Sequence, residues 1–245
     1  MDGAAVEQLV GLSRKPTMIG DYLVRPNDWV VEDPAALVKA GPLAQVLNVW
    51  SLGAVRDYVA ANRDALDLSK VLVHIVSPFV VNVLASIEAR SRSREHYVKA
   101  SVGDMTDGFL GRFMSLEDFV VGVQVRFADA DDRKRVLALL SNVKNEKVQT
   151  ALDDGVTQTV TVRAGVALVS EVAVPNPVLL CPYRTFRDVL QPSSLFVLRV
   201  NQGKAGGLPE AGLFEADGGA WRLTAIERVK AWLNDALPAT VAVLA

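Results

Sequence analysis

The chain has one cysteine, Cys181, and two histidines, His74 and His96. A lone cysteine excludes an intramolecular disulfide and a zinc site built from four thiolates of one chain, and it fits a reducing compartment. A cytoplasmic location is expected. The histidines do not share the i, i+4 spacing of a helical metal site, so no metal is expected either. No sign of charge dominates: 26 basic residues face 28 acidic ones, a formal net charge of -2. Such a body has no global field to draw it to nucleic acid or anionic membrane, and any anion must be held locally.

Long apolar runs are also missing. The most apolar stretch, Val71 to Ile87, is interrupted by His74, Ser77, Pro78, Asn82 and Ser86, which excludes a spanning helix there and predicts no membrane association. The N-terminus, MDGAAVEQLVGLSRKP, carries Asp2 and lacks the basic start and apolar core of a secretory signal, so it reads as mature protein. There is no Gly-x-Ser-x-Gly elbow, and Gly203-Lys204-Ala205-Gly206-Gly207 lacks the spacing and the Ser or Thr of a phosphate-binding loop. Cys181-Pro182 has no signature of a reactive thiolate. These absences leave no catalytic residue and no cofactor to name. A hydrolase or transferase with an unfamiliar site around His96 is the remaining enzymatic reading.

What is present is a chain of 245 residues, half of them hydrophobic, enough for a sizeable core. Glu7 to Leu12 reads as a short helix, stopped by Lys15-Pro16. Tyr22 to Val24 and Trp29 to Val31 flank the turn residues Arg25-Pro26-Asn27-Asp28, which predicts a hairpin. Leu43 to Trp50 reads as a strand, and Ser51 caps a helix to about Asn62 with Leu52, Val55, Tyr58 and Val59 on one face. Val71 to Val76, Val80 to Ile87 and Glu95 to Val102 form a three-strand meander. Helices are expected from Ser115, capped with Asp118, and over Arg133 to Val143. Residues 147 to 175 carry strands around the Asp154-Gly155 turn. Leu195 to Val200 and Gly212 to Ala216 pair antiparallel, Thr224 and Glu227 form a capping box for a last helix, and Thr240 to Leu244 adds a strand at a sheet edge. Strands and helices do not alternate strictly, so the fold class is α+β, with antiparallel sheet or sheets and three to five packed helices. Gly41-Pro42 divides an N-terminal arm and hairpin, 1–42, from a main domain, 43–245.

Two segments suggest binding. Arg90, Arg92 and Arg94, if extended, put three guanidiniums on one face, a geometry suited to a line of phosphates; a solvated link between strands is the alternative. Cys181-Pro182-Tyr183-Arg184-Thr185-Phe186-Arg187 interleaves aromatics with arginines, as stacking on bases and pairing with phosphate require. The alternative is that Tyr183 and Phe186 anchor a loop on the core while the arginines pair with carboxylates. The candidate ligand-binding set is therefore Arg90, Arg92, Arg94, Tyr183, Arg184, Phe186 and Arg187, with nucleic acid or a nucleotide as partner. Asp153-Asp154-Gly155 is explained by turn formation as well as by metal ligation.

The segment Pro182-Tyr183-Arg184-Thr185-Phe186, followed by Gln191-Pro192-Ser193-Ser194-Leu195-Phe196-Val197-Leu198-Arg199, resembles a group of uncharacterised phage and prophage proteins. Ser51-Leu52 leading to Tyr58-Val59 is similar to their N-terminal pattern, and the likeness runs in pieces over residues 50 to 235. The resemblance implies a protein made in the cytoplasm of an infected bacterium and serving DNA metabolism or the blunting of host defence. The expected function is a non-enzymatic accessory protein binding nucleic acid or a nucleotide-like anion. A homo-oligomeric interaction or structural protein, pairing through a sheet edge with another copy or a host protein, is the alternative.

Overall fold

The computed structural model describes residues 17–19, 22–25, 29–31, 45–87, 93–142, 150–153, 158–164, 168–202 and 208–245. The helix expected over Glu7 to Leu12, the Asp154-Gly155 turn and the Gly203 to Gly207 loop lie outside them. Contacts divide the chain into two units, Met1–Gln45 with Ile87–Glu95, and Val46–Ser86 with His96–Ala245.

In the first unit, β1 (Thr17–Ile19), β2 (Tyr22–Arg25) and β3 (Trp29–Val31) form an antiparallel sheet in that order, with Leu23 opposite Val31 and Arg25 opposite Trp29. The hairpin expected around Pro26-Asn27 is the β2–β3 pair.

The second unit begins with β4 (Leu47–Val49) and α1 (Leu52–Ala61). Ser51 accepts a hydrogen bond from the Ala54 amide at 3.2 Å, satisfying one of the donors left open at a helix start. Asn62 ends the helix in the left-handed region, φ 40°, which an Asn tolerates better than most residues. The meander follows as β5 (Val71–Ser77), β6 (Val80–Ala85) and β7 (His96–Ser101). Val71, Val73 and Ile75 alternate inward on β5, and Val81 and Val83 on β6, so one face is core.

Three further elements come next: β8 (Phe113–Ser115), α2 (Leu116–Arg126) and α3 (Asp131–Asn142). Ser115 caps α2 from the Asp118 amide at 3.1 Å, as the sequence implies. The strands β9 (Thr150–Asp153), β10 (Gln158–Ala164) and β11 (Leu168–Ala173) make an antiparallel sheet with β10 central. The chain closes with β12 (Val178–Leu180), β13 (Ser194–Gln202), β14 (Pro209–Glu215), α4 (Trp221–Ala236) and β15 (Ala242–Leu244).

These elements build the expected α+β class: two larger sheets, mostly antiparallel, packed by four helices. One sheet runs β15-β5-β6-β7-β4, and the other β12-β13-β14-β8. The first has parallel outer strands, because β4 meets β7 only after α1 and the first two meander strands, and β15 reaches β5 after α4. The helices α1 and α4 share a core with this sheet, whereas α2 and α3 share one with the other.

Two details depart from the sequence expectation. The last helix starts at Trp221, one turn before the Thr224 to Glu227 box, and has no side-chain cap. Gly218 and Gly219, at φ 62° and 83°, curl the chain so that Asp217 receives the Gly219 amide, and the helix is launched from that turn. Burial of the Trp221 ring then favours keeping the extra turn helical. The second departure is at β13, whose partner β12 starts at Val178 opposite Phe196 and so pairs no residue of β13 past that point. Beyond it, the side-chain amide of Asn176 accepts from the Leu198 N–H at 2.7 Å and donates to its carbonyl at 3.0 Å. Gln158 does the same for Val200, at 3.0 and 2.5 Å. A primary amide carries the donor and acceptor of a peptide group, so two side chains extend the ladder beyond β12.

Candidate functional site

The segment Cys181 to Gln191 passes between the two cores, and its backbone is fixed at many points. The Tyr183 amide donates to the Arg126 carbonyl at 2.9 Å, and the Tyr183 carbonyl accepts from Met105 at 3.1 Å. Thr185 Oγ1 donates to the Pro78 carbonyl at 2.5 Å, tying the segment to the β5–β6 turn. Gln191 Oε1 accepts from the amides of Arg184 and Thr185, and its Nε2 donates to the carbonyls of Phe186 and Val189. Asp188 accepts from the amides of Leu52 and Gly53 at 3.2 and 3.0 Å, placing a carboxylate at the positive end of α1.

Within this frame Arg184 and Phe186 face inward. Phe186 is fully buried in the core of the β15-β5-β6-β7-β4 sheet. Arg184 is 1 % exposed, its guanidinium 4.1 Å from the Trp221 ring and 5.6 Å from that of Phe196. Its Nη1 donates to Glu215 Oε1 and its Nη2 to Ser194 Oγ. Burial pushes the Arg184 pKa down and the bond to Glu215 pulls it back up. Neither side chain presents a surface to a ligand, so both follow the anchoring alternative of the sequence reading rather than the stacking one.

Tyr183 and Arg187 remain outside. Arg187 is exposed and its guanidinium carbon lies 3.5 Å from the centre of the half-buried Tyr183 ring. Arg187 has no ion pair among the described residues. Arg94 is exposed in the other unit, while Arg90 and Arg92, and with them the three-arginine stripe, lie outside the described residues. His96 is exposed on β7, and among the described residues no three His, Cys, Asp or Glu side chains converge as a metal site would require.

A groove that sequence reasoning missed runs along α2. It encloses about 520 Å³ and is lined by Glu117, Asp118, Val121, Gly122, Val125 and Arg126 of the helix, with Phe109, Arg112 and Met114 opposite. The helix residues fall in two columns of period four, 117-121-125 and 118-122-126, which share one face. Gly122 lets the helix lie on the Phe109 ring: a Cβ there would sit 2.1 Å from a ring carbon. Arg126 stands over the same ring at 5.5 Å, and its buried Nε has no hydrogen-bond partner among the described residues. A glycine inside an amphipathic helix was the available signal, since such a residue marks close packing.

Comparison of the chain with family models, with curated proteins and with solved structures finds no match. Among the described residues no helix is long and apolar enough to cross a membrane.

Proposed function

We propose that the chain is a non-enzymatic binding protein that takes nucleic acid or a nucleotide-like anion at the Tyr183–Arg187 pair. The carrying observation is the exposed Arg187 guanidinium stacked on Tyr183, whose own backbone is held on both sides by Arg126 and Met105. Stacking occupies the flat face of the guanidinium and leaves its N–H edge to pair with a phosphate oxygen. Ordering the cation before the ligand arrives lowers the entropy lost on binding. With the likeness to phage and prophage proteins, such binding would serve DNA metabolism or the blunting of host defence in an infected bacterium.

The test is fluorescence anisotropy with a labelled oligothymidylate and with labelled ATP, in rising salt. Affinity should fall with salt through counterion release, and Arg187→Gln should weaken it and flatten the salt slope. Binding that ignores salt, or an Arg187→Gln protein that binds as the parent does, refutes the proposal.

One observation favours a second reading, assembly through a sheet edge. The outer strand β4 carries Leu47, 52 % exposed, and is followed by Trp50, 78 % exposed, and residues 42 to 55 carry no charge to discourage pairing. Native mass spectrometry distinguishes the readings: a ligand-free oligomer lost on Trp50→Asp supports assembly, and a monomer at micromolar concentration refutes it.

A further inference from the structure

The α2 groove is electrically polarised along its length. Glu117 and Asp118 stand at the first turn of the helix, Arg126 at its last residue, and Val121, Gly122 and Val125 between them. Arg126 lies eight residue steps along the helix from Asp118, about 12 Å of rise. Two arginines and two acids line the groove, so the formal charge of the lining is zero. A polyanion gains at one end what it loses at the other, and a purely apolar molecule leaves both ends unanswered.

The donors at the basic end are uncommitted. Arg126 has no ion pair among the described residues, and its buried Nε lacks an acceptor. Both acids are exposed, and Asp118 accepts from Ser115 Oγ at 2.8 Å in the helix cap. The middle is apolar and open, with Val121 and Val125 more than half exposed one helical turn apart.

We propose that this groove binds the C-terminal end of a partner polypeptide: an extended segment with a free carboxylate on Arg126, apolar side chains on Val121 and Val125, and a basic side chain toward Glu117. Four extended residues span about 13 Å, which matches the separation of the charged ends, whereas a single amino acid does not reach. A guanidinium pairs with a carboxylate through parallel N–H bonds, which fixes the direction of the peptide. The basic end of this site adjoins the Tyr183–Arg187 pair, since the Tyr183 amide donates to the Arg126 carbonyl at 2.9 Å, but the groove takes a ligand of a different class.

The test uses fluorescence polarisation of an N-terminally labelled Lys-Ser-Leu-Leu peptide with a free C-terminus, its C-terminal amide, and Glu-Ser-Leu-Leu. The free acid should bind saturably, and amidation should weaken it about tenfold or more. Arg126→Met should cause a similar loss, with no further loss on amidation, because both changes remove the same contact. Glu117 is exposed, so Glu117→Lys tests the other end without threatening the fold: it should weaken the lysine peptide and favour the glutamate one. Equal binding of acid and amide, equal binding of the lysine and glutamate peptides to the parent protein, or no saturable binding of any peptide overturns the proposal.

Discussion

Replacing Arg184 by Met separates a structural arginine from a ligand-binding one. The substitution keeps much of the apolar stem between Trp221 and Phe196 and removes the guanidinium that donates to Glu215 and Ser194. Hydrogen bonds with a charged partner contribute about 1.5–3 kcal/mol each, and a cation over a desolvated ring about 2 kcal/mol. Two effects offset this loss. The guanidinium no longer has to be desolvated, which is the cause that pushes its pKa down. Glu215, with a side chain 28 % accessible, can take up water in place of its partner. Removing one member of a fully buried pair costs about 3–5 kcal/mol, so a net loss near the lower end, about 3 kcal/mol, is expected. With an m-value of about 2–3 kcal/mol/M, the urea midpoint falls by about 1–1.5 M. Tryptophan fluorescence reports the transition directly, because Trp221 lies against the substituted side chain. Glu215→Gln, which leaves a buried guanidinium without its counterion, should cost a similar amount, and the double variant should lose less than the sum of the two. A midpoint within about 0.25 M of the parent, corresponding to about 0.5 kcal/mol, refutes the reasoning. So does loss of oligonucleotide binding in a protein of unchanged stability, which would return Arg184 to the ligand.

Three further outcomes are expected. Gly122→Ala forces a methyl into the Phe109 ring and should cost about 1–3 kcal/mol in thermal unfolding, whereas a neutral change would mean that helix and ring separate freely. Asn176→Ala strips both polar groups of the Leu198 peptide of their partners and should cost about 1–3 kcal/mol, while Asn176→Asp, which can accept but not donate, should be intermediate only if the ladder reading is right. The Ser69 hydroxyl and amide hold the Asp67 carboxyl below its ordinary value of 3.8, so its stabilising effect is complete above that value and disappears as pH falls through the lowered one. The parent should therefore exceed Asp67→Asn in melting temperature at neutral pH, with the difference shrinking as pH falls below 3.8, and a difference independent of pH would exclude this origin.

The elements that could be read from the sequence are those whose cause is local. Ser51 and Asn62 bracket α1 with groups that bond within four residues, and Ser115 caps α2 three residues away. The meander is written as period-two burial on β5 and β6, and the β2–β3 hairpin as turn chemistry between β-formers. Three-residue strands such as β8 and β12 are too short to show a period, and only pairing with β14 and β13 makes them strands. The start of α4 was misread because Thr224 and Glu227 form a plausible box, while the Gly218-Gly219 turn and the burial of Trp221 place the first turn earlier.

The amino-acid sequence by itself determined the α+β class, most of the helices and strands, and the small set of arginines and aromatics in 181 to 187 on which binding can be argued. Tertiary structure alone decided what those side chains do. Glu215 and Ser194 lie 31 and 10 residues from Arg184, and the Trp221 ring that covers it comes from the start of α4, so no local pattern could assign the arginine to the interior. The same holds for the polarised face of α2, where the residues are visible in order but the opposing Phe109 wall exists only after packing. Burial and partnership are sums over distant parts of the chain, and these turned one arginine of the segment into a strut and left another at the surface.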